Sequence, residues 1–513
     1  MDTRSRKHNK NQLVDENVIR GKKKVNEQHL SLVEVVDSEE PEIEVDDLQL
    51  YAAHSAIALL TEETNPHQRI LHESEVQIPH TVRQAMASPQ RAEWWKGMER
   101  ELAAMEEKYV LELVLENDVP EGTKILETMW RFQAKTDELG NILRYRPRLW
   151  GRGDKEVPGV DFNVLDTFSP VARMASFRVM IALCKIFKLL AFQCDINTAY
   201  LNARRKVVRY IRRIAGFPIK PGGVHKVNNA LYGLHESGRE WYDELHGWLT
   251  AKGLQRSSTE SCLYYYIKGE TIALVLVYVD DVICATNSES WKTQLFADLN
   301  DKYGIKDLGA SKQLFRIEWQ NDGVLLHQTK YAKEILERFG FADACGCRSP
   351  MDTTVKLRAA TKADKETSMP YHEMIGALMY LATSTRPDIA FPVGYLSRFV
   401  QHPSVEHAGA LKRVLKYLAA TPNHGIIFKN QTNSDAENVE INGFVDADWG
   451  NCPDTRKSVS GYVMKIAEGP VAWAARRQNI VALSAAEAEY AAACEACEEG
   501  KSTKNILSEI VRS

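Results

Sequence analysis

The chain has no long hydrophobic run, no excess of one charge and no cysteine framework. No apolar stretch in its 513 residues reaches the roughly 20 that a membrane-spanning helix needs, so no span is expected and the protein reads as soluble. Basic and acidic residues nearly balance, 65 Lys and Arg against 69 Asp and Glu. No global polycation therefore announces nucleic acid, and any surface for it must be local. The nine cysteines (Cys184, Cys194, Cys262, Cys284, Cys345, Cys347, Cys452, Cys494, Cys497) occur without a signal peptide or even spacing, as suits reduced thiols in an intracellular protein. Cys345-x-Cys347 and Cys494-x-x-Cys497 have no matching Cys or His pair at ligand spacing, so zinc is not expected there. The length allows about three domains.

The rest of the chain is organised around Thr271 to Thr286, T-I-A-L-V-L-V-Y-V-D-D-V-I-C-A-T. Two β-branched, aliphatic runs flank Asp280 and Asp281 without a helical period, which predicts a hairpin with two acids at its tip. Asp is also an ordinary turn residue, so the pair has a plain structural reading. Tyr278 and Val279 directly before it shift the balance, because Tyr-x-Asp-Asp between apolar strands resembles the palm hairpin of reverse transcriptases. There the adjacent carboxylates hold divalent metal for phosphoryl transfer, since like charges side by side are costly until a cation neutralises them.

From the N-terminus, residues 1–75 pass from basic, with Lys22, Lys23 and Lys24, to acidic, with few apolar groups, and are expected to stay disordered. The lysine run reads as a solvated cluster, with a nuclear signal as the other reading. From Pro79 the pattern predicts one amphipathic helix through Trp94, Met98, Leu102 and Met105. Residues 130–153 predict two strands with a turn at Asp137 to Asn141, lined by Lys135, Arg146, Arg148 and Arg152. A buried helix is expected from Ser176, and Asp195 ends the apolar strand that follows.

The resemblance becomes specific in the order of motifs. T-F-S-P-V-A-R (167–173), D-I-N-T-A-Y-L-N (195–202), A-L-Y-G-L-H-E-S-G-R-E-W-Y (230–242) and V-Y-V-D-D (277–281) come first. Y-L-A-T-S-T-R-P-D-I-A-F (380–391), L-K-R-V-L-K-Y-L (411–418), V-D-A-D-W-G (445–450), R-K-S-V-S-G-Y (456–462) and A-L-S-A-A-E-A-E-Y (482–490) follow. In this order they resemble copia-type LTR retrotransposon polyproteins over residues 76–513. The resemblance implies an α/β (α+β) fold. Reverse transcriptase fingers and palm with the start of the thumb would occupy 76–340, a helical thumb and connection 341–435, and a truncated RNase H-like domain 436–513.

It also implies an RNA-directed DNA polymerase acting on an RNA or DNA template with primer and on dNTPs. Catalysis would use Mg2+, with Mn2+ as the substitute, held by Asp195, Asp280 and Asp281. Lys135 and Arg148 match the cations that clamp the triphosphate, and Arg152 matches less well. Tyr200 matches the aromatic under the incoming sugar, and Tyr232 with Gly233 matches the turn flooring the nucleotide pocket. Asp446 and Glu489, with Glu487 as runner-up for the second, match two RNase H carboxylates. A third acid on a later strand is not found, so RNase H activity is not expected. The implied setting is cytoplasmic, in a virus-like particle, with nuclear entry, and no membrane is involved.

Several positions depart from the family pattern. Pro147 removes a strand N–H beside Arg148. Arg316 replaces a Gly in F-R-I-E-W, the counterpart of a primer-gripping hairpin. His235 and Glu236 replace a Lys-Gln pair, and 204–213 is basic where the family is commonly acidic. These departures keep a second reading open, a decayed and catalytically weak fragment that at most binds nucleic acid.

Overall fold

A computed structural model describes residues 71–511 apart from 137–139, 311–315, 321–322, 353, 355 and 430–438. The charged N-terminal segment, including the lysine run, lies outside the described residues except for 71–75, where Glu73–Glu75 form a short 3-10 turn. Most of the turn at Asp137 to Asn141 also lies outside them, as does the side chain of Arg316.

The central element is a six-stranded antiparallel sheet. Its order is Gln255–Arg256, Leu263–Lys268, Thr271–Tyr278, Asp281–Thr286, Leu190–Ile196, Ile305–Ala310. Its middle strands are apolar on both faces, which calls for cover on both sides. Leu274, Leu276, Ile283 and Ala285 pack against Phe177, Met180, Ile181 and Cys184 of the helix Met174–Ile186. The alternate residues Val275, Val277, Val282 and Cys284 pack against Trp241 and Leu245 of Ser237–Ala251 and Leu295 and Leu299 of Glu289–Tyr303. The helix expected from Ser176 is therefore the floor beneath the hairpin.

The single helix expected after Pro79 is instead two, Val82–Ala87 and Arg91–Glu107. Pro89 lies between them and has no N–H to continue the first ladder. Trp94, Met98 and Met105 are buried as the spacing predicts, Trp95 is buried with them, and Leu102 is only half-buried. The expected two-stranded hairpin is also interrupted. Thr128–Arg131 pairs with Arg148–Gly151, Ala134–Thr136 pairs with Ile142–Tyr145, and Pro147 marks the break on the return strand. Trp94 meets Phe132 and Tyr145 edge-on at 5.4 and 4.6 Å, which fixes the hairpin on the second helix.

Beyond the main sheet, Arg316–Trp319 pairs with Gly323–His327, which pairs in turn with Gly425–Lys429. The helices Thr329–Arg338, Tyr371–Ser384, Ala390–Leu396 and Val405–Ala420 bury a separate core around Leu378, Val393, Leu411 and Leu415. The last unit is a three-stranded sheet, Asn442–Ala447, Val459–Ile466 and Gly469–Arg477, under the helix Ala485–Val511. Met464, Ile466, Val471 and Ile506 of this unit share one core with Met180, Ile181 and Leu183 of Met174–Ile186.

Arg178 ties these parts together. Its buried guanidinium donates to the carbonyls of Val471 at 2.7 Å, Thr383 at 2.8 Å and Ser384 at 3.0 Å. It also lies 3.8 Å over the ring of Trp473.

Candidate active site

The site grows from the tip of the central hairpin. The register sets Tyr278 opposite Asp281 and leaves Val279 and Asp280 as a two-residue turn. Val279 has a φ of 57°, a left-handed conformation that is costly for a β-branched residue. The indole N–H of Trp241 donates to its carbonyl at 2.7 Å and holds the turn in place. On the open flank Asp281 stands opposite Asp195, and the N–H of Ile196 donates to the carbonyl of Asp280 at 2.8 Å. The three acids are thus brought together by one sheet.

Burial and proximity shift two of them, Asp195 and Asp281. The carboxyl of Asp195 titrates above its ordinary range, first through burial and then through the charge of Asp280, while Lys135, Arg146 and Lys306 pull it down. The carboxyl of Asp281 is raised by burial, opposed by the Gln193 amide, which donates at 3.0 Å, and raised further by Asp280 and Asp195. Among the described residues no three His, Cys, Asp or Glu side chains are gathered into a metal cage. The trio still suits a hard divalent cation, because it offers only carboxylate oxygens and its mutual repulsion is what such a cation relieves.

The cations form a second layer. Burial pushes the amine of Lys135 down, Arg146 adds to this, and Asp195 pulls it back up. Arg146 is likewise lowered by burial and Arg148, against Tyr232, Glu101 and Asp195. Arg148 lies with its guanidinium 4.6 Å over the ring of Tyr232, and that ring is 5.3 Å from the ring of Tyr200. Burial takes the Tyr232 phenol up to about 12 and raises that of Tyr200, which also feels Asp280. Gly233 has a φ of 88° and lies against the Gly151 carbonyl, while the N–H of Gly151 donates to the Tyr232 carbonyl at 2.8 Å. Arg152 instead pairs with Asp154 at 2.7 and 2.8 Å.

Sequence reasoning gave Arg146 no role beyond lining the hairpin and passed over Lys306, Gln193 and Glu101. Gln193 was legible, since it lies two residues before Asp195 on the same strand face. Lys306 reaches Asp195 only because Ile305–Ala310 pairs beside Leu190–Ile196.

The chain is similar to several known proteins. Residues 110–353 match the family model described as reverse transcriptase (RNA-dependent DNA polymerase). The retrovirus-related Pol polyprotein from transposon TNT 1-94 of Nicotiana tabacum is 31% identical over 445 residues, covering 84% of this chain and 33% of that protein. The corresponding polyprotein from transposon RE1 of Arabidopsis thaliana is 31% identical over 436 residues, covering 84% and 29%. The chain belongs to the copia-type retrotransposon polyproteins. It spans about a third of the length of these curated relatives. A putative transposon Ty5-1 protein of Saccharomyces cerevisiae is 26% identical over 307 residues, 98% of its own length.

Two departures from the copia-type pattern turn out to be one structure. The basic strand Arg204–Ile211 and the pair His235–Glu236 meet in a buried ion network. Of the C-terminal pair, Asp446 is exposed on its strand opposite Gly461, and Glu489 is exposed on the last helix. Glu487 bends back to accept the N–H of Leu483 at 2.7 Å. Asp446 lines a cavity of about 260 Å³ together with Asp352, Lys356 and Asp448.

Proposed function

We propose that the chain is an RNA-directed DNA polymerase that joins dNTPs to a primer 3′-hydroxyl on an RNA or DNA template. The observation that carries this reading is Asp195 opposite Asp281 beside a turn bearing Asp280, within electrostatic reach of Lys135 and Arg146. In this reading 76–340 is fingers and palm with the start of the thumb, 341–435 is thumb and connection, and 436–513 is RNase H-like.

Asp195, Asp280 and Asp281 hold Mg2+, or Mn2+ in its place. When bound, the ions supply activation of the 3′-hydroxyl and neutralisation of the triphosphate and leaving pyrophosphate. Lys135 meets the triphosphate as a point charge and Arg148 as a planar fork. Tyr232 carries Arg148 on its ring, Gly233 lets the backbone turn closely beneath the nucleotide, and Tyr200 excludes a 2′-hydroxyl.

Primer extension by the purified chain on poly(rA)·oligo(dT) with Mg2+ tests the reading. Extension abolished by Asp280→Asn supports it, and a folded but inactive wild type rejects it. The second reading, a decayed and catalytically weak copy that at most binds nucleic acid, draws on Arg316 in place of a Gly in F-R-I-E-W. It predicts primer–template binding without extension. Hybrid cleavage is not expected in either case, because the two carboxylates Asp446 and Glu489 are too few to hold a metal pair. A labelled RNA–DNA hybrid cut in an Asp446-dependent manner would overturn that expectation.

A further inference from the structure

Directly behind the Tyr232–Gly233 turn lies the ion network noted above, and its hub is Glu156. The side chain of Glu156 is 1% exposed. One oxygen accepts from Arg209 Nε at 3.2 Å. The other accepts the backbone N–H of His235 at 3.3 Å and its Nδ1–H at 2.9 Å. Arg209 continues to Glu236 at 3.4 Å, and Glu236 accepts from Arg205 at 3.1 Å. The ring of Phe162 stacks on His235 at 4.2 Å and closes the outer side.

The turn itself has few means of holding its place. Gly153 lies against the Gly233 carbonyl and Gly233 against the Gly151 carbonyl, so the spacing depends on what pins the turn at its ends. Ser237 Oγ–H pins the near end through the Leu231 carbonyl at 2.6 Å, and Gly151 N–H pins the middle through Tyr232. Glu156 pins the far end through His235. Glu156 follows Gly153–Lys155 directly, so the same carboxylate also draws the Arg148–Gly151 strand toward the turn. A charge-assisted contact to a buried carboxylate is both strong and directional.

We propose that Glu156 is a positioning residue for the incoming nucleotide. It fixes the Tyr232–Gly233 turn against Arg148–Gly151 and so sets the height of the Tyr232 ring on which Arg148 lies. This rests on the polymerase reading above. Loss of the contact moves the nucleotide platform without touching the three acids or the path of the duplex, so it weakens nucleotide binding selectively.

The test is steady-state primer extension by the full chain, comparing wild type, Glu156→Gln, Arg209→Gln and the double variant. Arg212→Ala is the control, since it removes an exposed partner of Glu116 on the same strand end. Each single variant raises KM for dNTP roughly tenfold while kcat and primer–template Kd stay within about twofold, and the double variant is no worse than either. Parallel loss of primer–template affinity, or fully additive effects, assigns Glu156 to general stability and overturns the proposal. If Glu156→Gln does not fold, Gly153→Ala serves instead, because a Cβ there collides with the Gly233 carbonyl. An unchanged KM in that variant overturns the proposal as well. An inactive wild type rejects the polymerase reading and this inference with it, whereas an active wild type with unchanged Glu156→Gln rejects the inference alone.

Discussion

Asp195 and Asp281 face each other across one antiparallel register, each in the strand that ends or begins at the same edge of the sheet. Burial raises the proton affinity of both carboxyls, the charge of Asp280 adds to it at each, and Asp195 adds to it again at Asp281. Their repulsion is a stability term with a definite sign.

A raised carboxylate pKa favours the folded state below the unfolded value of about 3.9, and that contribution is lost as pH rises through the folded value. In metal-free protein Asp195→Asn should therefore raise Tm at about pH 7 and not at about pH 3. Mg2+ should raise the Tm of wild type by mass action and leave Asp195→Asn unmoved. Calorimetry at both pH values checks this, and an Asp195→Asn variant less stable than wild type at neutral pH would count against it.

Arg148→Ala should raise KM for dNTP about tenfold and leave primer–template Kd nearly unchanged. Arg148→Lys should not rescue it, because a point charge neither forks nor lies flat on the Tyr232 ring. Equal loss of nucleotide and primer–template affinity would move this arginine to the template path.

Tyr200→Ala should raise ribonucleotide incorporation relative to dNTP, roughly tenfold or more, since an aromatic under the sugar selects by clash. Competition extension with matched rNTP and dNTP measures the ratio. An unchanged ratio in an active variant removes Tyr200 from sugar selection.

Arg178→Leu should destabilise the chain by about 3 kcal/mol or more, because the Val471, Thr383 and Ser384 carbonyls lose a common donor. Urea unfolding followed separately at the central sheet and at the C-terminal unit should show both shifting together, given their shared core. Independent transitions would mean that the C-terminal unit folds alone.

The hairpin, its acidic tip, the helix beneath it and the strand ending near Asp195 are legible in the chain because each rests on local periodicity. Strand alternation, helical spacing and turn chemistry act within about ten residues, so a linear reading captures them. Proline was legible in part. Pro147 reads in line as a missing donor, while Pro89 lies inside an apolar helical spacing that hides it, and it divides the first helix in two.

What stays out of reach is whatever depends on which strands become neighbours. Lys306 faces Asp195, and Arg209 reaches both Glu156 and Glu236, only once a register and a burial pattern exist. Read in line, His235, Glu236 and the basic 204–213 stretch look like unrelated departures. Folded, they are the two sides of one network, because a buried charge must find its opposite wherever the packing places it. The same holds for Arg178, whose helix position predicts burial but not its three carbonyl partners, two in a distant helix and one in the last sheet.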